Sequence, residues 1–159
     1  MRLSVRGQYG VRAVVELAAR HQTSPLPLPE IARTQGISPS YLERVLRTLR
    51  QAGLILSVRG AHGGYRLARS PGEITVGQVI RALEGPIAPV ACVSESDPEP
   101  CDHAVNCPTR AAWLRLRDGI AAALDTMTIA DLLDGEPSQP DPTGKAPSHR
   151  HADRSQEVP

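Results

Sequence analysis

The three cysteines of the chain fall within one short stretch, at Cys92, Cys101 and Cys107. The stretch has the spacing C-x8-C-x5-C, is rich in proline and acidic residues, and is poor in residues that form a core. An odd number of cysteines argues against a disulfide framework. Thiolates are also the preferred ligands of zinc and of iron–sulfur clusters. The three thiols are therefore a candidate metal or redox site.

The spacing of the cysteines favours iron over zinc. Zinc sites usually contain close pairs such as C-x2-C or C-x4-C, whereas iron–sulfur clusters tolerate wider and unequal gaps. Our expectation is an iron–sulfur cluster, with the 2Fe-2S type preferred to the 4Fe-4S type. The alternatives are thiol redox chemistry, which needs only two of the cysteines, a zinc site, and three thiols without a role.

The neighbouring residues suggest how such a site would be completed. Pro108 is a good first residue of a helix, which would put Cys107 at or near the N-cap, where the helix dipole favours a thiolate. Three thiolates leave a fourth ligand position open, and His103 is the first candidate for it. Asp102 and Gln8 of the partner subunit are further candidates. An ordinary loop histidine is the equally weighted alternative for His103.

Charge is divided unevenly along the chain. Residues 1–70 carry 11 Lys and Arg against 3 Asp and Glu, a net charge of +8, whereas residues 71–159 carry 7 against 14, a net charge of −7. The whole chain has a formal net charge of +1. A basic half in a near-neutral chain is typical of a surface that faces a polyanion. A solvated arginine-rich face is the alternative.

The basic half shows the element order of a winged helix-turn-helix. Helical spacing of apolar residues predicts a first helix that Ser4 caps, and a short helix follows between Pro29 and Gly36. A third helix is predicted from Ser38 to Ala52, with an apolar stripe on one side and a cationic face on the other. A glycine-rich β-hairpin follows it. This order is that of a helix-turn-helix with a wing.

The third helix and the hairpin tip carry the residues that would contact DNA. The strands are predicted over residues 54–58 and 65–67, and the tip reads RGAHGG. Glycine lets a backbone approach DNA closely, and arginine can enter a narrow minor groove. A flexible hairpin whose glycines serve only positive φ angles is the alternative. The candidate DNA-binding residues are Ser38, Ser40, Tyr41, Glu43, Arg44, Arg47, Arg59, His62 and Gly63.

The acidic half contains a long helix after the cysteines. It follows a short helix that is capped by Thr75 and ends at Gly85. Its apolar residues recur at steps of three and four, namely Trp113, Leu116, Ile120, Ala123, Leu124 and Met127. So wide a stripe favours a two-fold dimer seam, with packing inside one subunit as the alternative. A last short helix is capped by Thr128.

These patterns predict a mainly α protein, a winged helix-turn-helix with a three-helix core, a β-hairpin wing and a long C-terminal dimerisation helix. We expect the DNA-binding domain over residues 1–84, a sensor loop over 85–107, the dimerisation helix and a short terminal helix over 108–135, and a disordered tail over 136–159. The sequence shows no membrane span, so we expect a cytoplasmic protein. We also expect no enzyme, because no nucleophile has a plausible base. A winged-helix module that never touches DNA is a further alternative.

Three segments of the chain resemble the Rrf2 family of winged-helix regulators: MRLSVRGQYGVRAVVELA, ISPSYLERVLRTLRQAGLILSVRGAHGGYRLAR and ITVGQVIRALEGPIAPV. The resemblance runs from about Met1 to Gly135. It implies a homodimeric transcription factor, usually a repressor, on a pseudo-palindromic double-stranded DNA operator. It also implies that Cys92, Cys101 and Cys107 match the positions where many members hold an iron–sulfur cluster.

The chain departs from the family at the fourth ligand. IscR-type members have a histidine three residues after the third cysteine, where this chain has Arg110, which cannot bind a metal. NsrR-type members use an acidic residue near the N-terminus, where this chain has Gln8. The segment EGPIAPV resembles the CymR type, which lacks the cysteines and senses cysteine supply through a partner protein. A cluster-free regulator that senses thiol oxidation, or cysteine supply through a protein partner, is therefore the second hypothesis.

Overall fold

The computed structural model describes residues 3–21, 24–60 and 62–135. The predicted disordered tail, residues 136–159, lies outside the described residues. The elements are α1 (Val5–Ala19), α2 (Leu28–Gln35), α3 (Pro39–Gln51), β1 (Ile55–Val58), β2 (Gly64–Leu67), α4 (Val76–Glu84), α5 (Arg110–Thr126) and α6 (Ile129–Leu133). Single 3-10 turns occur at Pro71–Glu73 and at Ala91–Val93, and we name the second the Cys92 turn. None of the helices described is both long and apolar enough to cross a membrane.

The capping residues of the first three helices lie where the sequence predicts them. The Ser4 hydroxyl accepts hydrogen bonds from two backbone N–H groups in the first turn of α1, which would otherwise lack partners. Gly36 ends α2 at a φ of 64°, a conformation that glycine adopts without strain. Ser38 is the N-cap of α3 and Pro39 its first residue, although the Ser38 side chain makes no capping hydrogen bond. The predicted helix-turn-helix is confirmed.

One aliphatic core joins α1 to the rest of the domain. Its fully buried members include Val14, Ile31, Leu42, Leu46, Ile55, Val79 and Ile129. Gly10 brings α1 close to α4, because the Leu83 side chain occupies the space where a Cβ of residue 10 would lie. After α5 the chain returns to this core, since the Ile129 N–H donates to the carbonyl oxygen of Ile74 at 2.8 Å.

The hairpin is attached to the domain by a third extended segment. Strands β1 and β2 pair antiparallel, with Ile55 opposite Leu67. Tyr65 of β2 also exchanges two backbone hydrogen bonds with Leu26, each of 2.9 Å. Gly64 makes this approach possible, because a Cβ there would collide with the backbone of Leu26. The predicted winged helix-turn-helix fold is thus confirmed, with the wing paired to the segment before α2.

Helix α5 begins later than predicted. Its first residue is Arg110 and its N-cap is Thr109, so the expectation that Pro108 is the first helical residue is wrong. The Arg110 N–H donates to the carbonyl oxygen of Cys107 at 3.3 Å, which closes a separate turn before the helix. The indole N–H of Trp113 also bonds to the Thr109 hydroxyl at 3.1 Å and fixes the start there. Cys107 therefore lies two residues before the N-cap.

The apolar stripe of α5 divides between two environments. None of its residues is buried. Leu124 and the following Met127 pack against the main core, whereas Trp113 and Leu116 are 36% and 46% exposed. One part of the predicted stripe therefore packs inside the chain, and the other part stays uncovered in a single chain.

Candidate functional site

Helix α3 separates apolar from polar residues by face. Its buried residues are Leu42, Val45, Leu46 and Leu49. Its polar side contains the exposed residues Ser38, Ser40, Glu43, Arg44 and Arg47, with Tyr41 half-buried at the edge. The second helix of a helix-turn-helix is the one that enters a major groove of DNA. The structure therefore brings the predicted contact residues of α3 together on the surface that this role requires.

A groove of about 400 Å³ lies between the start of α1 and the polar side of α3. Its lining residues are Arg6, Tyr41, Arg44, Val45, Arg47 and Thr48. Nη2 of Arg6 donates to the Thr48 hydroxyl at 2.7 Å, and Nη2 of Arg47 lies 3.0 Å from Oε1 of Glu43. Three guanidinium groups line this groove, and its lining contains no carboxylate. We name it the arginine groove.

Two tyrosines connect the arginines of α1 and α3. The Arg44 guanidinium lies 5.5 Å from the centre of the Tyr41 ring, and this ring meets that of Tyr9 edge to face at 6.1 Å. The guanidinium of Arg12 lies 5.9 Å from the Tyr9 ring. Each exposed cation–π contact contributes about 0.5–1 kcal/mol. This aromatic row holds Arg44 against α1.

The hairpin tip presents Arg59 and His62 to solvent, and Gly63 is half-buried. Two glycines of the tip also have roles within the hairpin itself. Gly60 has a positive φ of 119°, but Gly63 does not. A Cβ on Gly63 would instead collide with the carbonyl oxygen of Val58. The hairpin itself requires this glycine, whether or not DNA approaches the tip.

The cysteine segment follows α4 and precedes α5. Its three free and half-buried thiols are those of Cys92, Cys101 and Cys107. Within residues 3–21, 24–60 and 62–135, no three His, Cys, Asp or Glu side chains are gathered closely enough to hold a metal ion. His103 and Asp102 are exposed, and the Gln8 side chain donates to a backbone carbonyl oxygen at 3.2 Å. The structure thus places the thiols in one loop without bringing them into one site.

Cys107 is the thiol whose surroundings favour the thiolate. Its Sγ lies 3.3 Å from the Thr109 hydroxyl. Hydrogen bonds from the side chain and backbone of Thr109 lower the pKa of Cys107, and the N–H and charge of Arg110 lower it further. A helix dipole acting on Cys107 would lower its pKa in the same direction. The cause in the structure is local hydrogen bonding, because α5 begins too late for Cys107 to be its N-cap.

Cys92 is held more firmly, by arginines of α5. Nη1 of Arg110 donates to the carbonyl oxygen of Cys92 at 3.2 Å, and Nη1 of Arg117 donates to that of Val93 at 3.3 Å. Both Val93 and the neighbouring Ser94 are buried. The Cys92 turn is therefore fixed to α5, and the other two cysteines lie in the loop that follows.

Arg81 of α4 ties the same turn to the domain. It bonds Glu95 at 2.7 Å and Asp125 of α5 at 2.6 Å. The hydrogen bonds to Glu95 and Asp125 raise the pKa of Arg81. In return, the hydrogen bond from Arg81 lowers the pKa of Glu95. Arg81 thus joins α4, α5 and the segment after Cys92, and we name this group the Arg81 junction.

Three residues of α1, namely Arg6, Tyr9 and Arg12, and the Arg81 junction are not among the residues predicted from the sequence. Arg6, Tyr9 and Arg12 recur at steps of three, which places them on one helix face. This spacing is a signal that the sequence contains. Arg81 and Arg117 give no comparable signal, because the contacts by which they join separate elements span 14 to 44 residues along the chain.

Comparison with known proteins agrees with this architecture. The Rrf2 family, described as an iron-dependent transcriptional regulator, matches residues 3–135. The HTH-type transcriptional regulator CymR of Bacillus subtilis (strain 168) is 42% identical over 139 residues, which cover 86% of this chain and 94% of that protein.

Two solved structures share the fold and more than a third of the aligned residues. T. potens IscR has a TM-score of 0.69 and 41% identity, and the match covers 87% of this chain and 91% of that chain. The oxidized form of Staphylococcus aureus CymR has a TM-score of 0.68 and 35% identity over 84% and 97% of the two chains. The function of these relatives is regulation of transcription rather than catalysis. The chain therefore belongs to the Rrf2 family of transcriptional regulators.

Proposed function

We propose that the protein is a homodimeric repressor that binds a pseudo-palindromic DNA operator, and that an iron–sulfur cluster on Cys92, Cys101 and Cys107 sets its operator affinity. The observation that carries DNA binding is the exposed, arginine-bearing face of α3 beside the wing. In a two-fold dimer, two copies of α3 would enter successive major grooves about 34 Å apart.

Each candidate contact residue has a role that its position supports. Ser38, Ser40 and Tyr41 lie at the start of α3, where phosphates and base edges are reached first. Glu43 accepts from a cytosine amino group, while Arg44 and Arg47 bind guanine or phosphate.

The tip of the wing contacts the neighbouring minor groove. Arg59 enters it, and the exposed His62 and the adjacent Gly63 lie beside the sugar–phosphate backbone.

The dimer seam is the uncovered part of α5. Trp113 and Leu116 are large apolar side chains left exposed on a helix that buries no residue in its own chain. Pairing α5 with its copy covers them and supplies the apolar burial that this helix lacks.

The cysteines fit an iron–sulfur cluster in their number and chemistry. Three thiols lie in one loop, and the pKa of Cys107 is lowered toward the thiolate that such ligation requires. Because the thiols are not gathered in the described conformation, we infer that the loop carries Cys101 and Cys107 toward Cys92, which Arg110 holds in place. His103 is our first candidate for the fourth ligand. When bound, the cluster, of the 2Fe-2S type in our proposal, supplies sensitivity to redox state, nitric oxide or iron supply.

The decisive test compares the wild type with a triple Cys→Ser variant. Both are purified anaerobically, iron and sulfide are assayed, the visible spectrum is recorded, and operator affinity is measured before and after the iron is removed. We expect a coloured wild type whose affinity changes about 5- to 150-fold, the range of a typical coupling energy, and a colourless variant with one fixed affinity. A triple variant that binds and releases the operator under the same signals as the wild type would contradict the cluster switch.

A cluster-free regulator is the second candidate, and the lowered pKa of Cys107 favours it. A thiolate is the form that oxidants attack, and a relative, CymR of Staphylococcus aureus, has been solved in an oxidized form. An iron-free wild type whose operator affinity responds to peroxide, or to a cysteine-dependent partner protein, would support this candidate over the cluster.

A further inference from the structure

Building on the proposed DNA binding, we propose that helix α1 supplies a phosphate site. In this site Arg6, together with Arg44 and Arg47 of α3, holds one backbone phosphate of the operator in the arginine groove. The ligand is a phosphodiester of duplex DNA that flanks the major groove occupied by α3.

The charge of the arginine groove is the first argument. Arg6 and Arg44 form no ion pair with any described residue. Arg47 pairs with Glu43, and the two side chains are 57% and 54% exposed. Such exposed pairs contribute little and exchange readily. Guanidinium groups are the donors best suited to phosphate, since their planar N–H groups can bond two oxygens at once. The groove therefore has the charge and the donors for one phosphate.

The orientation of Arg6 is the second argument. The Thr48 hydroxyl donates to the carbonyl oxygen of Arg44 at 3.2 Å, so it accepts the hydrogen bond from Nη2 of Arg6. This contact uses one of the five N–H donors of Arg6 and fixes its guanidinium at the groove. The aromatic row does the same for Arg44. Because both side chains are already positioned, little side-chain freedom remains to be lost when a phosphate binds.

The position of the groove favours a DNA phosphate over a free anion. The groove shares Arg44 and Arg47 with the exposed face of α3, so an anion there lies beside the surface that faces the base pairs. Phosphates border a major groove on both sides, and contacts to them fix the orientation of a recognition helix without carrying sequence information. Arg6 would thus set the orientation of α3, and the base contacts would come from α3 alone.

The test measures operator binding against salt concentration for Arg6→Gln, with Arg69→Gln as the control. Arg69 is an exposed arginine beyond the end of β2 that bonds Gln78 and lies outside the groove lining. The probe is a duplex of about 30 base pairs, selected from a random pool, that spans two half-sites. The plot of log K against log salt has a negative slope, and each lost phosphate contact reduces its magnitude by about 0.9. Arg6→Gln should therefore reduce the magnitude of the slope by about 1.8 per dimer. We expect Arg6→Gln to keep the preference of the wild type among DNA sequences. We expect Arg69→Gln to keep the salt slope of the wild type.

A second arm separates DNA phosphate from a free anion. Thermal unfolding of the wild type and of Arg6→Gln is compared with and without inorganic phosphate. Inorganic phosphate could raise the unfolding temperature of the wild type but not of Arg6→Gln, while the DNA salt slope of Arg6→Gln stays that of the wild type. This result would assign the groove to a free anion and overturn the proposal. An equal loss of slope in Arg69→Gln would overturn it as well. A wild type with no salt-dependent DNA binding would overturn the proposed function too, whereas a wild-type slope in Arg6→Gln would overturn only this inference.

Discussion

Helices α1 and α5 are similar in length, with 15 and 17 residues, but they are stabilised in different ways. Helix α1 buries residues along its whole length, including two glycines that bring α4 close. Helix α5 buries none, and Arg110, Arg117 and the Arg81 junction connect it to the cysteine segment by polar contacts. The winged helix-turn-helix therefore finds its apolar packing within one chain, whereas the part that carries the cysteines has ionic contacts and an uncovered apolar surface.

The largest expected effect compares a buried residue of α3 with an exposed residue of α5. Leu46→Ala removes a side chain that is 0% exposed in α3 and should lower the free energy of unfolding by about 2–5 kcal/mol, since the transfer and cavity costs add. Leu116→Ala in α5, which is 46% exposed, should cost well under half as much in dilute protein. Urea unfolding of both variants at low concentration checks this. Equal losses would mean that α5 is as deeply packed as α3.

The next effect concerns the uncovered face of α5. Leu116→Asp places a charge where the dimer seam is proposed, and each dimer buries two such charges. We expect the dissociation constant of the dimer to rise at least about tenfold, equal to 1.4 kcal/mol, while circular dichroism stays unchanged. Sedimentation equilibrium measures this. Asp118→Leu, which removes the exposed carboxylate partner of Arg117, serves as a control outside the stripe. A dimer that survives Leu116→Asp would exclude this seam.

The Arg81 junction should contribute less than the core. Arg81→Gln leaves Glu95 and Asp125 without their shared cation, and we expect the free energy of unfolding to fall by about 1–2 kcal/mol, the range for charged hydrogen bonds that solvent partly screens. Hydrogen exchange should rise in residues 87–95 and stay unchanged in α3. Increased exchange in α3 alone would show that the junction does not hold the Cys92 turn.

A glycine in each helix gives a smaller and opposite pair of effects. In α5, a Cβ on Gly119 would meet no atom within 4 Å, so Gly119→Ala should add about 0.5–1 kcal/mol through helix propensity. In α1, Gly10→Ala should destabilise, because its Cβ would overlap the Leu83 side chain. Thermal unfolding of the two variants checks the signs. Destabilisation by Gly119→Ala would place the partner's helix against this position.

The smallest effect is a dependence on pH. The Arg81 hydrogen bond lowers the pKa of Glu95 from its ordinary value of 4.5, so this carboxylate stabilises the folded chain fully above that value and loses its effect as the pH falls through its folded pKa. Glu95→Gln should therefore make the fall in stability below about pH 4.5 shallower. Urea unfolding across this range measures the slope. The effect of Glu95→Gln on this slope should be smaller when Arg81→Gln is also present, because the two residues are coupled.

The sequence predicted the winged helix-turn-helix fold well because its signals are local. Ser4, Gly36 and Ser38 mark helix ends within a few residues of themselves, and the stripe from Leu42 to Leu49 identifies the buried side of α3. Hence the helix-turn-helix, the wing and the polar face of α3 could be placed before any contact was known.

The cysteine segment could not be predicted in the same way, because its structure depends on distant charges. Pro108 is a good helix start by local rules, yet a turn closed by Cys107 delays α5 by two residues. The contacts of Arg81 and Arg117 with residues 93 and 95 connect elements that are far apart in sequence. The gathering of the thiols and the fourth ligand depend on a bound cluster, and the dimer seam depends on a second subunit, so all three stay predictions.

The two hydrogen bonds between Tyr65 and Leu26 limit how a signal can act on DNA. They anchor the wing to the segment that leads into α2, so the angle between Arg59 and α3 is set inside each subunit. A wing fixed in this way cannot swing independently toward or away from the duplex. We therefore expect chemistry at the cysteines to change the separation and tilt of the two winged helix-turn-helix units of the dimer, each moving as a rigid body. An operator whose binding responds to the signal would then differ from other operators in the spacing of its half-sites.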